Sequence, residues 1–502
     1  NGQFSSALAA AYTQLSSYAS TGNFNDLQEV TSDEEVIPQR GSDWYDNGTH
    51  VSLQQHTWDI KEPDIDGAWT FLFGGVSTCN RLISQFNDLT ASGSVSSTQA
   101  DTFIAELKVM RAFYYYWLLD LYGNVPIIRT FKNAPKAPYQ PSSNFQTGRD
   151  SVFNFVESEI KNNISQLSRN VDQSTYGRMD VWGAHFLLMK LYLNAKVYTG
   201  QPRWQDCINQ ADSIINSGKF SLATNFFNNF TTNDQNSPEF IFAIPYDHVY
   251  LQGFDFVQGT LHYLSQFTFN LTQQPWNGYA TLEDFYNSFQ SNDVRKQGFL
   301  VGYQKSSTGQ YLIDASSSPG SPHGDTLYFT PQINELYPNA WREAGARFHK
   351  FEYALGSTNN LDNDFPVFRY TDVLMTKAEA MWRLAGASDN YSNADALNLV
   401  NMIRERAGLA DYTSLDAYKF LLERGHEFYT EMWRRQDLIR FRGGLHYHYN
   451  SNDVQGNAYA AGPTAFNDAW WSKGVDKTTN NVFPIPFNEM QANSNLVQNP
   501  GY

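Results

Sequence analysis

The sequence predicts a mostly α fold, in which paired helices from both ends of the chain form a scaffold that carries a large loop-rich insertion with short strands and helices. Three observations lead to this reading. Residues 98–128 hold a helical period with a continuous apolar stripe. Similar periods recur from the start of the chain to about residue 219, and again from 366 to about Arg440. Between Phe220 and Phe365 the period gives way to Gly, Pro, Asn and aromatic residues. The expected organisation is one domain over 1–502, with the scaffold in 1–219 and 366–502 and the loop-rich lobe in 220–365.

The first helix is expected over Phe4–Ala19, with Leu8, Ala11, Tyr12 and Leu15 on one face. Thr21–Trp58 lacks a helical period and contains several breakers, so it reads as one long loop, and loops of that length usually serve a function. Helix returns at Ala68–Phe86 with Trp69, Leu72, Val76 and Leu82. The central helix opens with Thr98 and Asp101, spaced as a capping pair. It carries Phe103, Leu107, Met110, Tyr114, Trp117 and Leu121 as a stripe that must be buried. Gly123 supplies a left-handed stop, and Pro126 forces an extended exit.

Ser151–Leu167, Val181–Tyr198 and Trp204–Ile215 follow as amphipathic helices. The last two are joined by a short turn and carry small residues at Ala184, Ala195 and Ala211, the composition of a tetratricopeptide-like pair. In the middle third, Glu239–Asp247 reads as a strand and Thr281–Asp293 as a short helix. Helices resume at Thr371–Leu384, Asn393–Ala407 and Ser414–Arg440, and the remainder is irregular.

A net charge of -16, with only 35 Lys and Arg, excludes nucleic acid as a partner and disfavours an anionic membrane surface. Aromatic residues make up 16% of the chain, more than a helical core needs, so some rings should lie on a surface that binds something. Cys79 and Cys207 sit in apolar helical contexts and read as buried free thiols. No apolar run approaches the 18 residues or so of a membrane span.

Four stretches, in order, resemble the SusD/RagB family of Bacteroidetes outer-membrane glycan-binding lipoproteins. They are AELKVMRAFYYYWLLDLYGNVPII in the central helix, FPVFRYTDVLMTKAEAMWR from Phe365, LLERGHEFYTEMWRRQDLIRF from Leu421 and the tail FPIPFNEMQANSNLVQNPGY. The resemblance implies four stacked tetratricopeptide-like pairs. It also implies capture of an oligosaccharide or polysaccharide at the cell surface and hand-over to a SusC-like TonB-dependent outer-membrane transporter. A signal peptide and lipid-bearing Cys would lie upstream of Asn1, so attachment to the outer membrane would be through a lipid anchor alone.

A glycan site needs flat rings for the C–H faces of a sugar and Asp, Asn or Arg for its hydroxyls. Asp43, Trp44, Asp46 and Asn47 in the early loop, with Trp58 nearby, have that chemistry, as do Trp276, Asn277 and Tyr279 in the insertion. These eight are the candidate ligand-binding residues, expected to meet although more than two hundred positions separate the groups. Each ring could instead pin its loop to the scaffold.

Glu423 and His426 have the Glu-x-x-His spacing of carboxylate di-metal sites, but no second copy accompanies them. Glu423, Glu427 and Glu431 read instead as partners of Arg369, Arg424, Arg434, Arg435 and Arg440. No catalytic residue, metal ligand or cofactor is expected. The rival readings are a helical glycoside hydrolase using a pair such as Asp43 and Asp46 or Glu283 and Asp284, and a peptide- or glycopeptide-binding helical-repeat protein.

Overall fold

A computed structural model describes residues 2–316, 321–442 and 481–502. Helix dominates it. The chain opens with α1 (Gly2–Thr13), extended by a 3-10 turn to Ser17, and Leu8, Ala11 and Leu15 are buried as the sequence requires.

The segment expected to be one long loop is instead structured. It forms α2 (Asn23–Gln28), β1 (Glu35–Val36) and α3 (Thr49–Gln55), and it buries Phe24, Leu27, Val30, Val36, Ile37 and Leu53. Helices of six and seven residues are too short to print a period. The acidic residues Glu29, Asp33 and Glu34 between α2 and β1 are buried as well and have a structural use, described below.

Helix α4 (Pro63–Ala91) is longer than its apolar period suggested, because Pro63 starts it and Asp64 and Asp66 face its N-terminal dipole. The central helix α5 (Ser97–Leu121) begins one residue before Thr98, which therefore lies in its first turn and does not precede the helix. From Ile104 onward it is buried almost all round, well beyond the expected stripe, and even Arg111 is inside, bonded to Asn80 and Glu159. Gly123 has φ +73°, the expected stop.

Next come α6 (Phe145–Asn163), α7 (Val181–Leu193), α8 (Ala195–Thr199) and α9 (Trp204–Ile215), with Asn144 and Asp180 capping α6 and α7. Helix α5 packs between α4 and α6, and α7 packs on α9.

The insertion is closed at its base by a two-stranded antiparallel ladder, β2 (Phe240–Ile244) against a strand that ends it, Phe365–Arg369. Between them lie α10 (Phe256–Thr260), α11 (Ser265–Phe269), β3 (Ala280–Thr281), α12 (Glu283–Ser288), β4 (Phe299–Leu300), β5 (Gly302–Tyr303), β6 (Tyr328–Phe329) and β7 (Arg347–Phe348), so the closing strand is β8. The strand expected over Glu239–Asp247 and the helix within Thr281–Asp293 are both present, each shorter than expected. The scaffold then resumes with α13 (Tyr370–Leu384), α14 (Ala394–Arg406), α15 (Ala417–Phe428), α16 (Arg434–Arg442) and α17 (Phe487–Ala492). Helix α13 packs on α9 and α14, and one apolar core runs from Leu8 to Leu496, joining both chain ends with the insertion. The stretch 443–480, expected to be irregular, lies outside the described residues.

The helix expected over Ser414–Arg440 is broken between α15 and α16, where Thr430 and Met432 adopt positive φ. The early acidic run explains the break. The Glu34 carboxylate accepts from Thr430 N–H at 3.1 Å, Glu29 accepts from Met432 N–H at 2.5 Å, and Asp33 pairs with Arg434 at 2.6 Å. Backbone donors that helix would have satisfied are satisfied by carboxylates from four hundred positions upstream.

The buried charges of α13–α16 are extensively paired, though not all as expected. Arg369 binds Glu431 at 2.7 Å, Glu239 at 2.9 Å and Glu427 at 3.1 Å. Arg424 pairs with Asp372 and Asp437, Arg440 with Glu379 and Asp437, and Glu423 with Arg295 and Arg404. Arg435 lies over the Phe483 ring at 4.5 Å. Of the five arginines assigned to these acids, Arg369 meets Glu427 and Glu431, whereas Glu423 pairs with Arg295 and Arg404; position on one helix face does not reveal which neighbour the face meets. Burial raises the Glu427 carboxyl, but Arg406, Arg369 and Arg295 outweigh it and hold the pKa at about 2. His426 stacks on Phe289 at 3.8 Å and bonds to Ser288 Oγ, so the Glu-x-x-His spacing serves packing.

Candidate functional site

The strands β1 and β3 pair antiparallel, Glu35 opposite Thr281 and Val36 opposite Ala280, and this ladder brings the two halves of the expected site together. Just after β1, Arg40 makes reciprocal backbone bonds with Asp43. Its guanidinium reaches the carbonyls of Asn277 at 2.9 Å and Ala344 at 2.9 Å, and also that of Trp341. A buried cation thus staples the loop before α3 to the loop before β3.

On that staple sits Trp44. Its indole N–H donates to the Trp276 carbonyl at 2.9 Å, and its ring meets Tyr279 edge-on at 5.6 Å. Gly278 permits the contact, since a Cβ there would lie 2.4 Å from the Trp44 ring. Trp44, Asp46, Asn47 and Asn277 all have positive φ. For residues other than glycine this costs of order 1–3 kcal/mol each, and such strain gathers where a loop must present side chains in a fixed way.

The eight expected residues divide in two. Asp43, Trp44, Asp46, Asn47 and Trp276 share one surface, with Trp44 half-buried, Trp276 41% exposed and neighbouring Tyr45 54% exposed. Asn277 and Tyr279 are buried beneath it. The Asn277 amide bonds to the Arg342 carbonyl and the Arg347 guanidinium, and Tyr279 donates to Asp26 at 2.7 Å. They support the loop and offer nothing outward. Trp58 is 7% exposed, packed on Phe483 at 4.8 Å with its N–H on Tyr502 Oη, so it anchors the C-terminal tail and does not join the surface. Nearness in sequence to Trp44 did not carry through α3.

Two residues were not anticipated. Tyr263 donates its hydroxyl to the Asp43 carboxylate, and Arg342 lies over the Tyr263 ring at 4.6 Å while bonding to Asp314 at 2.7 Å. Burial, reinforced by Asp43, pushes the Tyr263 phenol up to about 12, so it remains a neutral donor. The adjacent Trp341-Arg342 pair is a sequence signal of the same kind as Trp44, an aromatic residue beside a polar one in a loop. The assembled surface therefore offers rings from Trp44, Tyr45 and Trp276 beside carboxylates, a phenol and a guanidinium. Such a set suits ligands with alternating C–H faces and hydroxyl edges.

A helical scaffold presenting an aromatic and polar loop surface is the architecture of a binding protein. The model of the SusD family matches residues 192–502, and that of a family described as starch-binding, associating with the outer membrane, matches residues 3–193. The chain belongs to the SusD family. It is 23% identical to the starch-binding protein SusD of Bacteroides thetaiotaomicron over 91% of this chain and 82% of that protein. It is 22% identical to SusD-like protein P25 of Formosa agariphila over 95% and 90% of the two chains. Among solved structures it resembles a laminarin-binding SusD-like protein, with TM-score 0.73, 21% identity and coverage of 100% and 99%. A surface glycan-binding protein A of Bacteroides thetaiotaomicron in complex with laminarihexaose gives TM-score 0.71 and 19% identity over 99% of each chain. No described helix is long and apolar enough to cross a membrane.

Proposed function

We propose that the chain is a non-catalytic glycan-binding protein of the cell surface, held at the outer membrane by a lipid anchor, which captures an oligosaccharide and delivers it to a SusC-like TonB-dependent transporter. The observation that carries the binding role is the joining of Trp44 to Trp276 across 232 positions, with Asp43, Tyr45, Asp46 and Asn47 exposed alongside. The names of the relatives, which are binding proteins for starch and laminarin, support the same reading. In this reading 1–502 acts as a single domain: the early loop around Trp44 and the insertion together present the surface, and the helices of the scaffold are left to face the transporter.

Stacking about 50 Å² of apolar sugar face contributes only about 1 kcal/mol per ring. Several rings acting together give dissociation constants of roughly 1 μM to 1 mM, weak enough for cargo to be released. Calorimetry against starch, laminarin and other soluble glucans and mannans tests the reading. Saturable binding without new reducing ends is expected; release of reducing ends would replace it with hydrolysis. Co-purification of the lipidated protein with a TonB-dependent transporter tests the partnership.

A further inference from the structure

Directly under the candidate surface, the ring of His50 lies 5.5 Å from that of Trp44. One donor atom each from His50, Asp26 and Asp64 converges here, within 4.8 Å of the others, and all three residues are more than nine-tenths buried. They come from three helices, α2, α3 and the first turn of α4.

The hydrogen bonds around the cluster are arranged outward. Asp26 Oδ1 accepts from Tyr279 at 2.7 Å and from Gly22 N–H, and Asp64 Oδ1 accepts from Asn23 N–H at 2.8 Å. His50 Nε2 lies 3.2 Å from Asp46 Oδ2. A carboxylate can only accept, so Nε2 carries the proton and the lone pair of a neutral imidazole is on Nδ1. Among the described residues, Asp26 Oδ2, Asp64 Oδ2 and His50 Nδ1 make no hydrogen bond. With His50 neutral, three electron-rich atoms face one another inside the protein, His50 Nδ1 3.4 Å from Asp26 Oδ2, an arrangement that costs several kcal/mol unless a proton or a metal cation occupies the centre.

We propose that Asp26, His50 and Asp64 bind a divalent transition-metal ion of the Zn2+ type, which ties α2, α3 and α4 together beneath the glycan-facing loop. The donor chemistry, one imidazole and two carboxylates, suits Zn2+ better than the all-oxygen cages of Ca2+ or Mg2+. Two ligands about 2.1 Å from a tetrahedral ion stand about 3.4 Å apart, which is the separation of His50 Nδ1 and Asp26 Oδ2. Asp46 on Nε2 is the carboxylate that orients a metal-bound histidine in such sites. The rival occupant is a proton shared by the imidazole and the carboxylates. A second trio, Asp247, His248 and Asp362, is mostly exposed, with His248 Nδ1 already 2.7 Å from Asp362.

The inference does not depend on the glycan reading, because its test contains no glycan. Chelator-treated protein is titrated with ZnCl2 by calorimetry, alongside Asp64→Asn, His50→Gln and His248→Gln. One Zn2+ per chain is expected, with affinity reduced at least about ten-fold in the first two variants and unchanged in the third. Absence of saturable binding by the unmodified protein, or a loss confined to His248→Gln, would overturn the proposal. Should either cluster variant fail to fold, anomalous scattering at the zinc edge from soaked crystals of the unmodified protein decides. A peak among the three donors supports the site, and peaks only elsewhere reject it.

Discussion

Buried charge is handled in opposite ways on the two sides of this molecule. Around Arg369, in the scaffold, Glu239, Glu427 and Glu431 are all inside the protein and each contacts a cation at hydrogen-bonding distance. Around His50, beneath the loop surface, Asp26 and Asp64 are equally buried, and each has one oxygen without a donor. The first arrangement is complete within the chain. The second is complete only with something added. Number of acids and depth of burial do not separate the two regions, and the balance of donors against acceptors does.

The largest effect is expected where the balance is closed. Arg369→Met leaves three buried carboxylates short of a partner and should destabilise the fold by about 3–5 kcal/mol, read from the urea midpoint at constant slope. Acid should act on the same region. Glu379 and Glu427 are held at about 2, burial being outweighed by Arg440 and Arg383 in one and by Arg406 and Arg369 in the other. A depressed folded pKa gives stability that is present above the unfolded value of 4.5 and lost as pH falls through the folded one. The midpoint should therefore drop steeply between about pH 4.5 and 2, and a flat profile in that window would contradict the pairing.

The open cluster should respond with the opposite sign. In chelator, at a pH above the Asp64 pKa of about 8, Asp64→Asn removes a repelled charge while its amide oxygen still accepts from Asn23 N–H, so stability should rise by about 1–2 kcal/mol. A loss of stability there would mean that the site is as complete as the network around Arg369.

A third effect belongs to the surface alone. Trp276→Ala should weaken glycan binding by about 1 kcal/mol and leave the urea midpoint unchanged, because the ring is largely outside and its carbonyl still accepts from Trp44. Trp44→Ala should cost both affinity and stability, since that ring packs on Tyr279 and His50. Equal stability losses in the two variants would erase the distinction between the presented ring and the anchored one.

Legibility in the sequence followed the same division. Long helices such as α4, α5 and α13 print their period because one face repeats over many turns. The short α2 and α3 do not, and the buried acids between them look like a solvated run until their partners at Thr430, Met432 and Arg434 are known. Trp44 and Trp276 were readable as site candidates from type and loop context. That Asn277 and Tyr279 face inward while Tyr263 and Arg342 complete the rim depends on the Arg40 staple and the β1–β3 register, and pairings across two hundred positions leave no local pattern.

The smallest effect gives the comparison its reference point. Lys132 and Asp88 form an ion pair at 2.6 Å, shorter than several in the buried network, with side chains 62% and 58% exposed. In water the Coulomb gain is small and holding two long side chains has an entropic cost, so pairs of this kind contribute between nothing and about 1 kcal/mol. Lys132→Ala should shift stability by no more than about 0.5 kcal/mol, and 1 M salt should remove even that. Arg369→Met, measured beside it in the same salt series, should keep most of its effect, because counterions do not reach a pair excluded from solvent. If the two variants instead responded alike to salt, burial would not be what makes the scaffold network strong, and the contrast with the cluster at His50 would lose its physical basis.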